Sequence, residues 1–113
     1  MRLVNARTDR VMARRVEMAT TRAERRRGLL GRGGLADGSA LMITPCFAVH
    51  TIGMHFAIDV VFVDGQGRVR KIVHGLRPGR IAGSASARSV IEFAAGALLP
   101  EGALAIGDRL YVE

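Results

Sequence analysis

The chain has 113 residues, almost half of them apolar and 24% charged, which excludes a disordered chain and fits one packed domain spanning 1–113. Its net charge of +7 comes entirely from residues 1–32, where ten arginines face only Asp9, Glu17 and Glu24. A single cysteine excludes an intrachain disulfide, and no apolar run approaches the ~20 residues of a membrane-spanning helix.

Leu3 to Ala6 and Val11 to Ala19 read as two short strands joined by a turn at Thr8-Asp9-Arg10. Thr21-Arg22-Ala23-Glu24 matches a capping box, in which the Thr21 hydroxyl accepts from the Glu24 amide and the Glu24 carboxylate accepts from the Thr21 amide. This predicts a helix of about eight to ten residues running through Leu29 and Leu30 and ended by Gly31. After a glycine-rich loop comes the apolar stretch Ala40 to Thr44. Ala57 to Val63 is the strongest strand, apolar on both faces and closed by the Asp64-Gly65-Gln66-Gly67 turn, with Arg68 to His74 as its hairpin partner. Residues 75–87 read as an exposed loop, and Ser89 to Phe93 and Arg109 to Val112 as further strands. Many short strands and one helix predict a mainly β fold, a compact β sandwich or barrel-like domain.

The segment Pro45 to Asp59, PCFAVHTIGMHFAID, concentrates the residues able to do chemistry. Cys46 and His50 make the pairing of an activated nucleophile, and both are metal ligands; Met54 would complete a soft, copper-type set. Four residues of extended chain would hold Cys46 and His50 about 13 Å apart, so contact requires a bend. The bland alternatives are a buried, inert Cys46 and a Met54 that packs the core. His55 alternates with Met54 and is expected to face solvent, as is His74 at a strand end.

Asp59 lies between Ala57-Ile58 and Val60-Val61, so its carboxylate needs a partner or must become neutral. One account is an ion pair with Arg32; the other makes Asp59 an acid/base or orienting group for His50. Glu92 falls opposite Ile91 and Phe93, and its simpler reading is a solvent-facing carboxylate, its alternative a place in a site. The basic N-terminal third raises nucleic acid as a partner, but sixteen of the seventeen basic residues are Arg and no aromatic residue is interleaved among them. A solvated basic face is therefore the expectation.

The order of motifs resembles the uncharacterised family called domain of unknown function 192. The resemblance rests on Glu24-Arg25 with Arg27-Gly28-Leu29-Leu30-Gly31-Arg32, on His50-Thr51 with Met54, and on Ile58-Asp59-Val60-Val61-Phe62 with the 64–67 turn. It ends with Ile91-Glu92 leading to Gly96, and with Gly107-Asp108. It implies a mainly β domain with one short helix near its start and no established activity. Many relatives carry a Trp-Met-Lys-Asn type segment near position 50, so this chain resembles a subgroup with Cys and His there.

The leading expectation is a binding or accessory domain whose pocket is formed by Cys46, His50, Met54 and Asp59, with Arg32 and Glu92, and which takes a small molecule. An enzyme using Cys46 as nucleophile, His50 as base and Asp59 as orienter is the second, with metal binding through Cys46, His50 and Met54 beside it. A basic interaction module is the third. No cofactor is indicated, and with no signal-peptide pattern in MRLVNARTDRVMARR a cytoplasmic, soluble protein is the default expectation.

Overall fold

The computed structural model describes residues 1–98 and 102–113. Ten strands and one helix follow in the order β1 (Leu3–Asn5), β2 (Arg10–Ala13), β3 (Arg15–Ala19), α1 (Arg22–Arg27), β4 (Ser39–Ile43), β5 (Ala48–His50), β6 (Ile58–Val63), β7 (Val69–Leu76), β8 (Ile81–Gly83), β9 (Ser89–Ala94) and β10 (Leu110–Val112). The expected mainly β fold with one short helix is what forms, built as layered sheets rather than a closed barrel. A five-stranded sheet in the order β3-β4-β9-β6-β7 stands at the centre. The three-stranded sheet β10-β1-β2 and the two-stranded ribbon β5-β8 accompany it.

The central sheet is covered on both faces, and the period-2 alternation of its strands sorts the core into two clusters. In β6 every residue is buried. Val61 and Val63 point into one cluster with Ile91 and Phe93 of β9 and with Leu3 and Leu110 of the three-stranded sheet. Ile58, Val60 and Phe62 point into the other, with Leu41 and Ile43 of β4, Val90, Met54 and Leu29. Each such side chain contributes roughly 1.5–3 kcal/mol by leaving water, so β6 alone anchors both layers.

Two elements differ from their sequence reading. The single strand expected over Val11 to Ala19 divides at Arg14, where the amides of Arg14 and Arg15 both donate to the Gly38 carbonyl. The chain thereby leaves the three-stranded sheet, and β3 pairs with β4 in parallel. A parallel pair needs a crossover, which α1 supplies. That helix is six residues long, not eight to ten. Its capping box forms as expected, but it ends at Gly28, whose φ of +49° carries the chain out of the helix while its amide still donates to Glu24 O. Leu29 and Leu30 therefore enter the second core from a turn. Within 75–87, expected as loop, β7 runs on to Leu76 and β8 pairs with β5, His50 opposite Ile81.

Candidate functional site

A cavity of about 170 Å³ opens between the end of α1, the Cys46-to-His50 segment and the second-cluster face of the central sheet. Each wall has a local cause. In the last turn of α1 Arg25 is half-buried while Arg26 and Arg27 are exposed, so it is the arginine of this run that turns inward. Its Nη1 donates to the Pro45 carbonyl at 3.2 Å, tying the helix to the central segment. Its Nε is buried and has no hydrogen-bond partner. Leu29, Leu30, Ile43 and Met54 form the cavity's apolar inner wall, and the exposed Arg26 and Arg27 stand at its rim. Arg25 also borders a shallower groove with Pro45, Phe47 and Arg88.

Glu92 closes the sheet side of the cavity. It stands in β9 opposite Leu41 on one neighbour and Val60 on the other, and is 3% exposed. No described residue donates a hydrogen bond to its carboxyl. Burial pushes its pKa up to about 7, with the more distant positive charge of Arg32 pulling weakly the other way. The solvent-facing carboxylate expected at this position is overturned. The alternation of β9 does separate Glu92 from Ile91 and Phe93, but the face it is sent to is covered by α1 and β5.

Cys46 and His50 both reach the cavity. They do so without bonding to each other: the Cys46 thiol donates to the Ala48 carbonyl at 3.1 Å. Burial pushes the thiol's pKa up and the Glu92 charge adds to the rise, while the Arg25 charge acts against it. An activated nucleophile needs the opposite balance. His50 and His55 are exposed, and so is His74, away from this cavity. Met54 is buried in the second cluster and its side chain forms part of the wall. Among the described residues no group of three His, Cys, Asp or Glu side chains is gathered as a metal site.

Asp59 and Arg32 are not brought to this cavity. Asp59 shares the opposite sheet face with Phe93, which is its partner in β9. It is 1% exposed and accepts three backbone N–H bonds, from Gly75 at 2.8 Å, Gly96 at 3.0 Å and Leu98 at 3.3 Å. The β6–β7 register shifts at this point, and Gly75, with φ +62°, supplies the backbone turn that aims its amide at the carboxylate. The ion pair expected between Asp59 and Arg32 is absent. Arg32 instead holds Glu17 at 2.9 Å, on the solvent side of β3. The Asp59 carboxylate thus ties the irregularity in β7 at Gly75 to the turn after β9, and it faces away from the cavity that His50 borders.

Two residues escaped the sequence reading. Arg25 was hidden in an arginine run, and no local signal separates it from Arg26 and Arg27. Thr51 is fully buried, donates through Oγ1 to the Arg77 carbonyl at 2.6 Å and accepts from the Arg80 amide at 2.9 Å. It pins residues 77–80 behind β5 and so fixes the strand that carries His50; nothing local in the sequence marks it.

No curated protein matches this chain. Two crystal structures share the fold. One is a protein of unknown function from Novosphingobium aromaticivorans, 23% identical, covering 86% of this chain and 74% of its own, with a TM-score of 0.75. The other is described as a "putative transcription regulator" from Sinorhizobium meliloti, also 23% identical, covering 97% of this chain and 89% of its own, with a TM-score of 0.79. Among the described residues no helix is long and apolar enough to cross a membrane. The model of the domain of unknown function 192 family (DUF192, "Uncharacterized ACR") matches residues 3–112, and the chain belongs to that family.

Proposed function

We propose that the protein is a small-molecule binding domain whose site is the cavity between α1, Cys46 and Glu92. The observation that carries this reading is Glu92: a carboxyl 3% exposed, on the cavity wall, with no hydrogen-bond partner among the described residues. A buried carboxyl without a partner costs several kcal/mol of folding free energy, and such a cost is retained where a ligand uses the group. Arg25, with its buried Nε, supplies a second polar group to the same space. The volume, below the ~300–1,000 Å³ of typical ligand pockets, fits a metabolite of few atoms.

The pocket keeps Cys46, His50 and Met54 of the central segment, gains Arg25, and keeps Glu92. Cys46 and His50 add polar groups to its lining. The inward turn of Arg25 supports this reading over a basic surface for an anionic macromolecule. The raised thiol supports binding over nucleophilic catalysis.

A fragment screen observed through the methyl and amide NMR signals of the protein tests the site. Hits are expected to move Met54, Ile43 and Cys46 together. A screen whose hits all lie elsewhere, or that yields none, removes the cavity as the site.

A further inference from the structure

We infer that the cavity takes a small zwitterion of the α-amino-acid type, its carboxylate held by Arg25 and its ammonium by Glu92. The inference rests on the cavity being a binding site and adds the chemistry of what it binds.

Arg25 fixes one end. Its Nη1 is committed to the Pro45 carbonyl, while its Nε is buried with no partner. The edge of the guanidinium formed by Nε and Nη2 is one of those that a carboxylate meets with two parallel hydrogen bonds. Glu92 fixes the other end. Its carboxyl lines the cavity, and an ammonium is the ligand group that both neutralises it and donates to it. The two side chains form no ion pair with each other, although Cys46, beside both, feels the charge of each. A cation on the α1 wall and an anion on the sheet wall of one cavity are complementary to a ligand carrying the same two charges in reverse.

Simpler ligands fit less well. A monocarboxylate would satisfy Arg25 and leave Glu92 without a donor unless the glutamate kept its proton. An amine would satisfy Glu92 and leave the buried Nε unpaired, at the usual cost of an unmet donor. The inner wall between Arg25 and Glu92 is apolar, from Leu30, Ile43 and Met54, which suits a short aliphatic side chain, while the exposed Arg26, Arg27 and His50 stand at the rim. A cavity of about 170 Å³ suits a short side chain better than a long or aromatic one.

The test uses L-2-aminobutyrate against two analogues that each lack one charge, butyrate and propylamine, on the full chain with labelled Met and Ile methyl groups. Aminobutyrate is expected to shift the Met54 and Ile43 signals saturably, at least tenfold more tightly than either analogue. Glu92→Gln is expected to erase the preference over butyrate, and Arg25→Gln to weaken aminobutyrate at least tenfold. Methyl signals of the other core cluster, unchanged, show that each variant is folded. Butyrate binding as tightly as aminobutyrate overturns the zwitterion, as does propylamine doing so, while leaving the cavity a ligand site. No response to any of the three, with fragments still found in the cavity, also overturns it. Fragments absent from the cavity remove the underlying site instead.

Discussion

Asp59 and Glu92 stand on adjacent strands of one sheet, both almost wholly withdrawn from water, yet they meet opposite fates. On the Asp59 face, three backbone amides converge on the carboxylate, which holds the β7 irregularity at Gly75 and the turn after β9. On the Glu92 face the carboxyl has a cavity in front of it and a pKa raised to about 7. Burial alone therefore does not mark a functional carboxylate. What separates the two is whether the fold itself supplies the donors.

The largest effect is expected from emptying the satisfied side. Asp59→Ala leaves three amides without an acceptor, one of them fully buried, and is expected to cost about 3–5 kcal/mol. Asp59→Asn, which keeps one acceptor oxygen, should cost less. Urea unfolding midpoints measure both, and a loss under about 1 kcal/mol for Asp59→Ala would break the contrast at its structural end.

Glu92→Gln probes the other side, and its sign is reversed. Below the ordinary glutamate value near 4.5 the carboxyl is protonated whether the chain is folded or not, and burial costs nothing extra. Between there and about 7 the folded protein holds a proton that the unfolded chain has released, so stability falls as pH rises. Glutamine carries no such penalty. The variant should match the parent near pH 4 and exceed it at pH 8 by an amount on the order of 3 kcal/mol. Denaturation at the two pH values reads the difference; equal gaps at both would show that Glu92 has a partner after all.

A third carboxylate sharpens the comparison because it resembles Asp59 in its partners. Asp108 accepts from Arg7 Nε at 2.6 Å, from Asn5 Nδ2 at 2.9 Å and from the Ala105 amide at 2.8 Å. The Arg7 guanidinium above all holds its pKa down to about 2. Its stabilisation is therefore complete above the ordinary aspartate value near 3.8 and is lost as pH falls toward 2. Because Arg7 is half exposed, solvent screening reduces the contribution to about 1–2 kcal/mol. Asp108→Asn should lose that amount at pH 7 and little at pH 2.5, the opposite pH profile to Glu92→Gln.

How much of this was legible follows the range of the interactions. The Thr21–Glu24 capping box spans four residues and was readable outright; the apolar residues of β6 on either side of Asp59 announced a strand buried on both faces. The break at Arg14 was not readable, because its cause is the Gly38 carbonyl twenty-four residues on. The peculiarity of Asp59 was visible in its neighbours, but its donors, Gly75 within β7 and Gly96 and Leu98 in the turn after β9, are brought together only by the folded sheet. For Glu92 the alternation in Val90-Ile91-Glu92-Phe93 defined two faces. Whether the second face met solvent or α1 depended on where the helix packs, which no periodicity in β9 encodes.

Cys46 offers the smallest effect and the most local report of the difference between the two carboxylates, since it lies beside Glu92 alone. Its thiol is pushed up by burial and, secondarily, by the Glu92 charge, with Arg25 acting the other way. Only the thiolate is alkylated, so at pH 7.5 iodoacetamide should react with the folded protein several-fold more slowly than with the chain unfolded in urea. Glu92→Gln should quicken the folded reaction and Arg25→Gln should slow it, each by less than about threefold, as expected for charges acting through a partly solvated cavity. Asp59→Asn, on the far face of the sheet, should leave the rate unchanged. A rate that responds to Asp59 and ignores Glu92 would place the thiol on the wrong side of the sheet; one above that of the unfolded chain would make Cys46 an activated nucleophile.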